Sequence, residues 1–131
     1  LEIVVADGMS GDGTRDVLAR YAGAHPEVRL LDNPARTTPC ALNAAVRAAR
    51  GEVVVRMDAH NEYPPSYVGD LVSWLQRSGA DNVGGTWRTV PADGSARARA
   101  IAAALSHPFG VGNAYYRIGA GEPRWVDTVP F

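Results

Sequence analysis

One cysteine, Cys40, stands in a chain of 131 residues, so no disulfide can form within it. Such sparing use fits a reducing, cytoplasmic compartment. An excess of either charge is also missing. The 13 Lys and Arg offset 14 Asp and Glu, the net charge is -1, and the signs are interspersed. That excludes a nucleic-acid binder working through a broad basic face. Long hydrophobic runs are lacking too. The longest, around Ala100 to Leu105, falls far short of the about 20 residues that a membrane-crossing helix needs. Neither the Gly-x-Gly-x-x-Gly dinucleotide fingerprint nor a Gly-Lys-Ser/Thr phosphate loop occurs. What is present is the composition of an ordinary globular domain, 46% apolar and 21% charged, at a length that can bury a core.

The pattern along the chain alternates between two periods. Ile3 to Ala6 and Val28 to Leu31 are short continuous apolar runs, as in strands buried on both faces. Glu52 to Met57 reads as a third strand, and Asp81 to Val90 as a fourth, kinked at Gly84-Gly85. Between them lie helical segments: Thr14 to Ala24, Thr38 to Arg50, a helix opened by Pro64-Pro65 and closed by Gly79, and Ala96 to Leu105. Thr38-Pro39 reads as an N-cap followed by proline at the first helical position. Helical crossovers join parallel strands, so the expected class is α/β with an open, mostly parallel, Rossmann-like sheet and flanking helices. The chain starts inside one apolar run and stops in another, Trp125 to Phe131, as expected of an internal piece of a longer protein.

The chemistry gathers where strands end. Asp7, Asp32 and Asp58 each follow a predicted strand, and in a parallel sheet those ends share the edge where ligands bind. Asp58 and His60 stand two residues apart, which in an extended segment sends both side chains to one side. A carboxylate with a neutral imidazole suits a first-row divalent cation such as Mn²⁺, with positions left for diphosphate oxygens. The alternative is an Asp in a turn beside a surface His. The loop Asp7 to Gly13 carries glycines at 8, 11 and 13, thin enough for a base to lie against it, or simply flexible. Cys40 sits in the first turn of a helix without a nearby nucleophilic partner and reads as a small packing residue. His25 and His107 each precede a proline and read as loop residues, and Trp74 reads as core. Trp87 and Trp125 read as packing residues or as the floor of a sugar site.

In this order the segments resemble the inverting family 2 glycosyltransferases, whose nucleotide-sugar-binding fold is called GT-A. The matching pieces are Glu2 to Thr14, Ala41-Leu42-Asn43 leading to Ala49-Arg50-Gly51-Glu52, and Val55 to His60 with Tyr63-Pro64-Pro65. Asn82-Val83-Gly84-Gly85, Pro108 to Asn113 and Val126-Asp127-Thr128-Val129 follow. The last groups are most similar to the bacterial exopolysaccharide branch, typified by the succinoglycan glucosyltransferases. The resemblance implies that Asp7, with Gly8 beside it, contacts the uracil of a UDP-sugar. It implies that Asp58 and His60 replace the family's Asp-x-Asp element, which binds the diphosphate through Mn²⁺ or Mg²⁺. Arg36 falls where the family often places a basic residue near the nucleotide, and Gly112-Asn113 falls near its sugar and acceptor region.

The chain also departs from that pattern. The family opens with a strand and a Pro-x-Tyr/Arg-Asn-Glu segment, which does not occur here. Its catalytic base is an aspartate in a later acidic pair. Asp127 matches a different position, so no catalytic base is assigned. Residues 1–131 are therefore expected to be a partial GT-A domain that lacks the first strand and the acceptor and base region, and to be inactive alone. The parent protein is expected to act at the cytoplasmic face of the membrane on saccharide or lipid-linked acceptors. Two rival readings are a metallophosphoesterase, whose first strand also ends in Asp-x-His, and a non-catalytic nucleotide-sugar-binding domain.

Overall fold

Val28, whose side chain is buried, and the apolar residues around it make the centre of the first of two compact units, Leu1–Val54 and Val55–Phe131. The computed structural model describes residues 1–119, 121–127 and 129. In the first unit, β1 (Ile3–Asp7) and β2 (Val28–Asp32) pair in parallel, with Ile3 opposite Val28 and Asp7 opposite Asp32. The α1 helix (Thr14–Ala24) makes the crossover and packs on β2, while α2 (Thr38–Ala48) packs on β1. This is the β-α-β unit that the alternation predicts, and the class is α/β.

The end of α2 is set by a distant carboxylate. Glu2 accepts hydrogen bonds from the backbone N–H groups of Arg50 and Gly51, and its Oε2 lies 3.1 Å from Arg29 Nη1. The same Arg29 nitrogen donates to the Ala48 carbonyl at 2.9 Å. These bonds hold residues 49–51 out of the helix, so α2 stops at Ala48 rather than at Arg50, with Ala49 extended. At the other end Thr37, not Thr38, is the capping residue, and its side chain makes no cap bond.

The expected third strand does not form. Residues 51–53 bend, 54–58 are irregular, and Val53 and Val54 are exposed. A strand exists only where a ladder partner satisfies its backbone, and the sheet of the described residues has two strands. The same holds for residues 81–90, where Gly84 and Gly85 weaken strand formation. A Cβ on Gly85 would lie 3.5 Å from the Tyr67 ring, so the chain runs close against that aromatic. A backbone bond from Trp87 N–H to the Tyr116 carbonyl at 2.6 Å helps to anchor this stretch. Of the expected strand-like run at the end, residues 125–127 form no strand. Thr128, Pro130 and Phe131 lie outside the described residues.

The second unit is helical where it is regular. Its elements are α3 (Tyr67–Ser78), α4 (Ala96–Leu105), α5 (Pro108–Val111) and α6 (Tyr115–Ile118). Gly79 closes α3 in the left-handed conformation, φ 66°, as its position predicts. Ser95 caps α4 by accepting from the Ala98 N–H at 3.0 Å. Ala102 is buried. No helix among the described residues is long and apolar enough to cross a membrane.

Candidate functional site

Asp7 closes β1 with its side chain only 4% exposed, although it is charged. Three hydrogen bonds to its carboxylate explain how it stays there. Its Oδ1 accepts from the Ser10 hydroxyl at 2.6 Å, and its Oδ2 from the Ser10 N–H at 2.9 Å and from Arg15 Nη1 at 2.7 Å. Its backbone carbonyl accepts from the Asn33 N–H at 2.8 Å. The Ser10 hydroxyl, then its N–H, then Arg15 stabilise the ionised form, and the carboxyl pKa drops from 3.8 to about 2. A carboxylate offers about four lone-pair sites, so one acceptor position stays available on Oδ1.

Arg15 links the two strand ends. Its Nη2 lies 2.6 Å from Oδ1 of Asp32, the register partner of Asp7. Asp32 and then Asp7 hold the guanidinium firmly in its charged form. Sequence reasoning missed this residue. The available signal was its place in the first turn of α1, where the helix dipole disfavours a cation. A basic residue there calls for carboxylates nearby.

Gly8 and Arg36 meet at the same corner. A Cβ on Gly8 would lie 3.7 Å from the Arg36 Cα, so the two backbones approach closely. Arg36 has φ 55° and Met9 φ 62°, left-handed values that cost energy in a residue with a side chain. Asn33 stabilises this path. It is buried, donates from Nδ2 to the Thr37 carbonyl at 2.9 Å, and accepts from the Arg36 N–H at 3.0 Å. The structure therefore brings Asp7, Gly8 and Arg36 together, with Ser10, Arg15 and Asp32.

Asp58 and His60 belong to the second unit. Asp58 ends no strand, so the expected row of three strand-end carboxylates reduces to Asp7 and Asp32. The Asn61 N–H donates to the Asp58 carbonyl at 3.1 Å, which makes residues 58–61 a turn. Alternation along a strand no longer relates Asp58 to His60. Instead, the Tyr63 hydroxyl fixes the backbone of Asp58, accepting from its N–H at 2.8 Å and reaching its carbonyl at 3.4 Å. Arg56 grips the carboxylate with a fork: Nε lies 2.9 Å from Oδ1 and Nη2 3.1 Å from Oδ2. His60 is exposed.

By donor chemistry, one carboxylate and one imidazole fit a first-row divalent cation. No group of three or more His, Cys, Asp or Glu gathers among the described residues. A cation held here would therefore draw further oxygens from its substrate. The phosphoesterase reading needs protein ligands for two metals and finds no such cluster among the described residues.

Several sequence expectations change. Cys40 is exposed rather than packed. Trp74 is 40% exposed, its ring lying under the Arg77 guanidinium at 4.6 Å. Trp87 meets Tyr116 edge-on at 5.2 Å, with the Arg117 guanidinium 4.6 Å from its ring centre. Trp125 is 79% exposed, so it is not a buried packing residue. His25 lies just beyond α1, as expected of a loop residue, and stacks on Tyr21 at 4.1 Å. His107 precedes α5 and accepts the Phe109 N–H.

Comparison with known proteins adds a family. The description "Glycosyl transferase family 2" matches residues 1–124. The chain is similar to the succinoglycan biosynthesis protein ExoA of Rhizobium meliloti (strain 1021), with 39% identity over 120 residues, 90% of this chain and 36% of that protein. It is also similar to the uncharacterized glycosyltransferase YibD of Escherichia coli (strain K12), with 26% identity over 98% of this chain and 38% of that protein. Dolichyl-phosphate beta-glucosyltransferase ALG5C of Trichomonas vaginalis shares 36% identity over 59 residues, 44% of this chain and 18% of its own. The chain thus spans little more than a third of the first two relatives. No solved structure matches it significantly.

Proposed function

Because the chain belongs to glycosyl transferase family 2, we propose that it supplies the donor-binding half of an enzyme that transfers a sugar from a nucleotide-sugar to a saccharide or lipid-linked acceptor. The donor in this reading is a UDP-sugar, the transfer proceeds with inversion, and the product is an exopolysaccharide. The similarity to a succinoglycan biosynthesis protein supports the last point. The observation that carries the reading is Asp7. It is a buried, ionised carboxylate at the carboxyl end of a parallel strand, held by Ser10 and Arg15 with one acceptor site left. That is the place in an open α/β sheet where nucleotides bind.

In this reading the Asp7 carboxylate accepts the imide N–H of uracil. Gly8 and the Arg36 backbone leave a thin loop beside it. Asp58 and His60 hold Mn²⁺ or Mg²⁺, which when bound offsets the charge that builds on the leaving diphosphate. The Tyr63 hydroxyl fixes the Asp58 backbone, so the carboxylate is presented from a set position. The base that deprotonates the acceptor is not assigned to any residue of this chain. The whole protein works at the cytoplasmic face of the membrane.

Calorimetry tests this reading. The whole protein should bind UDP only with Mn²⁺ or Mg²⁺ present. Asp58→Ala and His60→Ala should each weaken that binding by about tenfold or more, since a hydrogen bond or contact to a charged group is worth roughly that factor. Unchanged metal-dependent affinity in both variants would sink the assignment.

A further inference from the structure

The bidentate grip of Arg56 on Asp58 is at odds with a carboxylate that waits for a cation. Both carboxylate oxygens are engaged, at 2.9 and 3.1 Å, and each side chain is 22% exposed, so water screens the pair little. A divalent cation arriving alone must push aside a guanidinium or sit beside it against like charge. A diphosphate changes the balance. A guanidinium fork matches phosphate oxygens as well as it matches a carboxylate, and a diphosphate carries more negative charge than Asp58.

We propose that Arg56 is a latch on Asp58, closed on the carboxylate in the free protein and drawn off it by the diphosphate of an incoming nucleotide-sugar. The exchange conserves ion pairs. The Arg56–Asp58 pair breaks, Arg56 forms a new pair with a phosphate oxygen, and Asp58 becomes open to the cation. Cation and nucleotide then enter together, and each raises the affinity of the other by the same factor.

The local architecture permits this motion. Arg56 and Asp58 lie in an irregular segment, so no helix or strand bond must break. Tyr63 holds the Asp58 N–H and carbonyl, and the Asn61 N–H closes the turn. The Asp58 backbone is thereby anchored without Arg56. Releasing the latch breaks the two Arg56–Asp58 hydrogen bonds and leaves the Asp58 backbone held. The inference rests on the reading of Asp58 as a cation ligand and adds to it the residue that times the binding.

Titration of the whole protein with Mn²⁺, followed by electron paramagnetic resonance, tests the latch without any turnover. The wild type should bind Mn²⁺ weakly alone and about tenfold more tightly with UDP present, within the usual range of such couplings. Arg56→Gln should raise the affinity for Mn²⁺ alone by about the same factor and abolish most of the gain from UDP. A generally damaged fold would lower that affinity, so the rise is diagnostic. Arg56→Lys keeps the charge but loses the fork and should fall between. If Asp58→Ala removes Mn²⁺ binding while Arg56→Gln and Arg56→Lys leave it at the wild-type level, the latch is overturned and the cation reading stands. If Asp58→Ala leaves Mn²⁺ binding unchanged, both fall.

Discussion

Asp7 shows how one side chain can be both buried and charged. The unfolded carboxyl titrates near 3.8 and the folded one at about 2, so the unfolded chain takes up the proton first as pH falls. The stabilisation from this corner is therefore full above 3.8 and lost as the pH drops through about 2. Thermal unfolding followed across that interval should show the loss, and Asp7→Asn should flatten it. An unaltered slope in Asp7→Asn would count against the role given to Ser10 and Arg15. At this scale the sequence was partly legible. Asp7 could be found because aspartate after an apolar run marks a strand end. Arg15 offered only its place in the first turn of α1 as a signal, and its partners lie 8 and 17 residues away, aligned only by the folded register. Arg56 escaped for a different reason. Two residues of extended chain would have turned it to the same side as Asp58, but the expected strand made it look like a sheet residue.

The helices were the most legible elements. Their apolar spacing is a local signal, and α1, α2, α3 and α4 all form where it predicts helices, although α2 stops at Ala48 instead of Arg50 and α3 begins at Tyr67 instead of at Pro64-Pro65. Strands depend on partners, and that is where reading failed. β1 and β2 satisfy each other, whereas residues 52–57 and 81–90 have the right composition without forming a ladder. The α4 cap can be tested directly. Ser95→Ala removes the acceptor for the Ala98 N–H and should cost about 1 kcal/mol in denaturant unfolding, with lower helical circular dichroism. Gly110 illustrates a local constraint of another kind. A Cβ there would overlap the Ala104 carbonyl, so the tight junction between α4 and α5 accepts no larger residue without moving.

For the whole molecule, the two compact units bury little. Val28 and Ala102 are the buried apolar residues among those described, while Leu1, Val90, Phe109 and Trp125 are 70% exposed or more. Apolar area left in water contributes nothing to stability. The chain by itself should therefore unfold over a broad range, bind a hydrophobic dye before it melts, and transfer no sugar. A sharp, cooperative transition of a soluble monomer, measured by calorimetry, would contradict this. Against so thin an interior the Glu2 carboxylate gains importance. It joins the start of β1 to Arg29 of β2 and to the backbone just past α2, at residues 50 and 51. The chain of the first unit is thus closed into a ring by one clasp that is not covalent. The two ends of that ring cannot loosen independently, so hydrogen exchange at Ile3 and at Arg50 should report a single opening event.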